Sequence, residues 1–215
     1  MIFISILSTS FLISYGFFVY PFLIFLRKNK FKVSQHYQNW AKLNINKDIT
    51  IRILKHDIVN AYATGVLSAS KVILLTDKII EKMDETDIKN LLYHEYAHLK
   101  YNHLLFLYLS NVLCCSLSII SASHFYPIFE TLQSPGLLVA FHGALFGGLY
   151  ILVPGLVQRK FEHQADYYAS SIVGANSYSA TLIKLNIVTE GGLEKKTINY
   201  PTLNERIRNV SIEKN

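Results

Sequence analysis

A chain of 215 residues is long enough for one or two domains, and a balance of 51% hydrophobic to 17% charged residues is too apolar for an ordinary soluble one. The net charge of +6 would suit a nucleic-acid binder, but no basic cluster is interleaved with aromatic residues, which argues against that class. Residues 1–26 carry no charge and residues 104–157 only Glu130, while lysine and arginine crowd the remaining segments, the positive-inside pattern of a membrane protein.

The first 26 residues, MIFISILSTSFLISYGFFVYPFLIFL, exceed the ~20 apolar residues that a membrane helix needs. A cleaved signal would need a basic start and a small-residue cleavage site. Neither is present, so the segment reads as a permanent anchor with its N-terminus outside. SQHYQNWAKLNI, from Ser34, predicts a helix with Tyr37, Trp40 and Leu43 on its apolar face. ITIRIL, NAYATG and KVILLTD predict three short strands, with Gly65 and the Ser68–Ser70 region turning the chain. The acids of DETD, residues 84–87, suit a helix start. IKNLLYHEYAHLKYNH then has no Pro or Gly and predicts one helix as far as His103.

Two further stretches can span a bilayer, Leu104 to about Tyr126 and about Leu137 to Val157. Their connecting segment, PIFETLQSPG, has no Lys or Arg, whereas both flanking regions are basic. This places residues 27–103 and 158–215 in the cytoplasm. The alternative is a buried hairpin of a globular core, although a soluble core seldom runs so far with a single charge. Gly143 and Gly147 have the spacing that lets two membrane helices approach closely. Cys114 and Cys115, adjacent on a helix, point in different directions and read as small apolar residues. His142, ionisable within a span, is a functional candidate, but packing or an interhelical hydrogen bond suits it better because no partner is evident.

The chemistry concentrates in HEYAH. His94 and His98 lie only about 40° apart around a helix axis, so both imidazoles can bind one zinc ion. Glu95 is rotated by about 100°. It cannot chelate from that face, but it can take a proton from the attacking water and pass it to the leaving amine. His103, about 140° from His98 on the predicted helix, faces elsewhere and is rejected as a ligand. The motif alone is only suggestive. A hydrolytic zinc site needs a third protein ligand and an open fourth position. In QRKFEHQADYYAS, Glu162 and Asp166 are four apart on one helical face. Glu162 can complete a His2Glu set, and Asp166 can accept the outer N–H of a ligand histidine. The hairpin leaves after His103 and returns before Arg159, which brings the two segments to the same level.

These segments together resemble the HtpX-type and CAAX-prenyl-protease-type integral-membrane zinc metallopeptidases, of the gluzincin class. NAYATG resembles that family's NAFATG-type segment, and KVILLTDKII the strand and turn that follow it. HEYAH matches the zinc helix, QRKFEHQADYYA an (S/Q)RxxExxADxxA pattern, and YPTLNERI a C-terminal HPxxxxRI. The resemblance covers about residues 35 to 210. It implies a zincin-like site with one Zn2+ per chain held by His94, His98 and Glu162. It also implies that Asn60, Ala61, Tyr62 and Ala63 form an edge strand able to pair with an extended substrate, unless that strand is only structural. Tyr200 and Arg206 become candidate transition-state or substrate contacts. Tyr200 stands where many relatives have histidine, and its hydroxyl either donates in place of that histidine or packs. One span precedes the catalytic region, where HtpX-type members typically have two.

The expected fold is therefore α+β: a small sheet with zincin-like catalytic helices and three transmembrane helices. It divides into an anchor (1–26), a cytoplasmic part with HExxH (27–103), a membrane hairpin (104–157) and a cytoplasmic part with the third ligand (158–215). The expected activity is zinc-dependent endopeptidase cleavage, at the cytoplasmic face, of membrane-associated or misfolded proteins or of a peptide precursor. The expected partners are a protein or peptide substrate and the lipid membrane, with no nucleic acid. A silent membrane scaffold and a metal-dependent hydrolase of non-peptide substrates are the competing classes. An intact Glu95 disfavours the first, and a substrate-pairing strand the second. The abundance of Lys, Asn and Ile fits an AT-rich bacterial genome, and with it the bacterial plasma membrane.

Overall fold

The computed structural model describes residues 31–65, 71–131, 135–195 and 197–212. The proposed anchor, residues 1–26, and the predicted turn at Ser68–Ser70 lie outside them. The elements in chain order are β1 (Lys32–Val33), α1 (Gln35–Asn44), β2 (Thr50–Leu54), β3 (Ala61–Thr64), β4 (Val72–Thr76), α2 (Asp77–Lys82), α3 (Glu85–Lys100), α4 (His103–Thr131), α5 (Pro135–Val173), α6 (Ala175–Val188) and α7 (Leu203–Ile212). The described part is thus mostly helical around one small mixed sheet.

The strand order is β1-β2-β4-β3. β2 and β4 run parallel with Ile51 opposite Ile73, and β3 returns antiparallel to β4 with Ala61 opposite Leu75. Every residue of β4 is buried, which explains a sequence that runs VILLT without alternating. β3 is left on the outer edge. Gly65, at φ +100°, ends it in a conformation that side chains rarely adopt. Thr76 anchors its start: the hydroxyl donates to Asn60 O at 3.0 Å and accepts from Asn60 N at 3.1 Å.

The sheet packs on α1 and α3 through Tyr37, Ala41, Ile51, Ile73, Leu75 and Leu92. Each fully buried Leu or Ile contributes about 1.5–3 kcal/mol. The buried face of α1 is Tyr37, Gln38 and Ala41, whereas Leu43 is 87% exposed. Six residues after Tyr37, Leu43 has rotated off that face, so the predicted apolar triplet is not one stripe.

The helix predicted to reach His103 stops at Lys100. Asn102 turns the chain at φ 54°, a conformation that Asn tolerates better than most residues. Lys71 Nζ holds the turn, donating to Leu99 O at 2.7 Å and to Asn102 Oδ1 at 2.9 Å. α4 then starts afresh at His103 in a new direction. Helix also replaces much of the predicted connecting segment, since α4 runs through Pro127 to Thr131 and α5 starts at Pro135.

α4 and α5 are long and apolar enough to cross a membrane. Only 17% and 24% of their most apolar windows are buried, and Phe106, Leu113, Ile120, Leu145, Ile151 and Leu156 face outward. That exposure disfavours a globular-core hairpin. The described residues therefore hold two candidate membrane helices. Between them Cys114 packs with Phe146 and Tyr150, while His142 stacks on Phe146 and bonds Leu138 O in its own helix at 3.1 Å. A Cβ added at Gly143 or Gly147 would meet no described atom within 4 Å. The predicted close approach at these glycines is therefore not seen among the described residues. α5 continues unbroken through Pro154 to Val173, so the apolar span and the polar segment with Glu162 are one rigid element.

Candidate metal centre

α3 carries His94, Glu95 and His98, and α5 carries Glu162 and Asp166. His94 Nε2 lies 3.2 Å from His98 Nε2 and 3.4 Å from Glu162 Oε2, and His98 Nε2 lies 3.7 Å from Glu162 Oε1. Tetrahedral zinc, with bonds of ~2.0–2.1 Å, spaces its ligand atoms ~3.3–3.4 Å apart. The two imidazoles and the carboxylate therefore fit a zinc ion in both chemistry and spacing. Among the described residues these three are the group with metal-ligand proximity.

The far side of His94 is fully engaged. Its Nδ1 is 3.0 Å from Asp166 Oδ1 and 2.9 Å from the Tyr178 hydroxyl, which itself donates to Asp166 Oδ1 at 2.7 Å. Arg206 of α7 donates to the same carboxylate, from Nε to Oδ2 at 2.8 Å and from Nη2 to Oδ1 at 2.5 Å. Arg206 is buried and its Nη2 is 3.9 Å from Glu162 Oε2. Its fork is spent on orienting the two carboxylates, while its edge lines the cavity. Nothing in the sequence singled out Tyr178: it comes from α6 and shares no motif with the site.

The charge balance follows from these neighbours. Burial pulls His94 down, but hydrogen bonds to Asp166 and Glu162 outweigh it and bring the imidazole up to about 9. His98, pulled down mainly by burial against the opposing charge of Glu162, falls to about 3. Glu95 is raised to about 6, chiefly by burial, with Glu162 adding to the rise and His94 opposing it. A backbone hydrogen bond from Ala63 also holds its carboxylate. An acid near neutrality, beside a three-ligand cluster, has the properties of a general base.

A cavity of about 510 Å³ opens over the cluster. Asn60, Ala61, Tyr62 and Ala63 line one wall, and Leu104, Leu107 and Phe161 line the side where α4 begins. Tyr200, 48% exposed, stands at the rim. Its loop is pinned by Arg159, whose Nη1 donates to Thr197 O at 3.2 Å and to Tyr200 O at 3.3 Å.

His103 lies where the broken helix puts it and not where a continuous one would. Its Nδ1 is 2.9 Å from His98 Nδ1, on the side away from His94, and its Nε2 is 3.0 Å from Gln164 Oε1. His103 stays outside the candidate ligand cluster, as expected. The break, and not the roughly 140° turn of a continuous helix, sets where it points, and nothing in the sequence singled out Gln164.

The Peptidase family M48 model matches residues 32–214. Among solved structures, the crystal structure of S. mikatae Ste24p superposes with a TM-score of 0.65 at 20% sequence identity, over 97% of this chain and 61% of that one. At that identity the likeness concerns the fold, and this chain spans less than two thirds of that protein's length. No curated protein matches the sequence.

Proposed function

The chain belongs to peptidase family M48, whose members are zinc-dependent metalloproteases, and from this we propose that it is a membrane-anchored endopeptidase that cleaves membrane-associated or misfolded proteins, or a peptide precursor, at the cytoplasmic face. The observation that carries the reading is the convergence of His94 Nε2, His98 Nε2 and Glu162 from two helices, with Glu95 beside them in a cleft.

His94, His98 and Glu162 would hold one zinc ion, which would supply Lewis-acid polarisation of the scissile carbonyl and acidify the attacking water. Glu95 accepts the water's proton and returns it to the leaving amine. Asp166 and Tyr178 keep the proton of His94 on Nδ1, so that Nε2 presents its lone pair. The outer edge of β3, Ala61–Ala63, pairs with an extended substrate as an added strand. Tyr200, which lines the cavity, would donate to charge developing on the scissile oxygen. Leu104 and Leu107 line the cleft at the start of α4, which supports delivery of substrate from the membrane surface.

The test is Glu95→Gln, purified in detergent and assayed on casein with zinc measured in the same samples. The ligands are untouched, so zinc content should equal that of wild type, while cleavage falls by ~10²–10⁴-fold. Cleavage at the wild-type rate would overturn the mechanism.

A further inference from the structure

Zinc can bind His98 only through a nitrogen that carries no proton, and the hydrogen-bond chain behind the ring decides which nitrogen that is. His98 Nε2 faces His94 and Glu162, and its Nδ1 faces His103 Nδ1 at 2.9 Å. Two neutral imidazoles meeting Nδ1 to Nδ1 share one proton: one ring must donate and the other accept. His103 Nε2 in turn meets the side-chain oxygen of Gln164 at 3.0 Å. An amide oxygen only accepts, so His103 carries its proton on Nε2 and presents a bare Nδ1. His98 must then donate from Nδ1, which leaves its Nε2 lone pair facing the ligand cluster. With the opposite polarity, His98 Nε2 would carry the proton and could not bind metal.

We infer that His103 is a positioning residue that fixes the metal-binding tautomer of His98, with Gln164 setting its direction. The inference rests on the zinc reading of the site. Several features hold the ring in register. His103 is 1% exposed. It stacks on Phe161 with ring centroids 4.1 Å apart and planes 2° from parallel, and Tyr101 stacks on it at 5.8 Å. Gln164 and Phe161 both belong to α5 and flank Glu162. One rigid helix therefore delivers a metal ligand, the stacking platform and the group that orients the other ligand. The two histidines of α3 are thus secured by different means: His94 by a carboxylate and a phenol, His98 by a neutral imidazole–amide relay that adds no negative charge.

Zinc affinity, measured by competition with a chromogenic chelator, separates orientation from packing. His103→Phe keeps an aromatic ring on Phe161 but has no acceptor, and zinc binding should weaken by ~10–100-fold. His103→Asn loses the stack but keeps an oxygen near the Nδ1 position, and most of the affinity should return. Gln164→Leu should weaken binding, and Gln164→Glu, which keeps an accepting oxygen toward His103, should not. This second pair decides the matter if His103→Phe does not fold. A purely structural role gives the reverse ranking, with His103→Phe tight and His103→Asn weak, and either that ranking or wild-type affinity in both His103→Phe and Gln164→Leu overturns the inference. His98→Ala is the reference: if it still binds zinc tightly, the ligand assignment itself has failed, a result distinct from failure of the relay.

Discussion

Asp166 is the residue on which most of the site converges: it accepts from Arg206, Tyr178 and His94 without being exposed to solvent. Removing one partner of such a buried pair typically costs about 3–5 kcal/mol, because the other charge is left uncompensated. The same carboxylate, with Glu162, makes His94 hold the proton of the metal-free site up to about 9. Zinc requires a neutral imidazole and must displace that proton. The sign is clear: below about 9 His94 is protonated, so apparent zinc affinity should rise by about tenfold per pH unit from pH 7 towards 9. Chelator competition across that range checks it, and a flat profile would show that His94 is already neutral. His98, at about 3, contributes no slope there.

At the scale of elements, the decisive feature is that α5 is one helix from its apolar start to Asp166 and beyond. Gly155 lies on it where the 197–200 loop crosses: a Cβ there would come within 2.5 Å of Ile198 Cγ2 and 2.8 Å of Asn199 Oδ1. The loop carries Tyr200, and Arg159 and Glu205 clamp it through an ion pair at 2.5 Å. Gly155→Leu should push this loop away from the cleft while leaving the three ligands on their helices. The expected result is a marked loss of peptidase activity at normal zinc content. Normal activity would mean that Tyr200 and its loop lie outside the reaction. The break at Tyr101–Asn102 is the second deciding element. It lets α4 start anew at His103 and turns that ring behind His98, a placement that no unbroken helix allows.

For the whole molecule, α4 leaves beside the candidate site and α5 returns to it, so a hairpin that spans a bilayer would keep the sheet, the candidate site and α7 on one side of it. Reporter fusions after residues 60 and 180 should both read cytoplasmic, and one in the Pro127–Pro135 segment should read external. A cytoplasmic signal from that segment would remove the hairpin from the membrane.

The sequence by itself brought out the candidate metal-binding cluster. HEYAH places two imidazoles on one helical face because of the 3.6-residue period, and the Glu162–Asp166 spacing does the same for two carboxylates. The mostly uncharged stretch from Leu104 to Val157 announced two helices long and apolar enough to cross a membrane. VILLT announced a strand covered on both faces. Tertiary structure decided what stands behind the ligands. Tyr178, Gln164 and His103 reach the site through α6, α5 and a left-handed turn at Asn102, contacts between residues as far as 84 positions apart. Local periodicity carries no information about such pairings. It also misled at Leu43, where spacing suggested a packing face that the neighbouring described elements do not cover. Which helix face is buried depends on what lies opposite, and only the assembled chain supplies that.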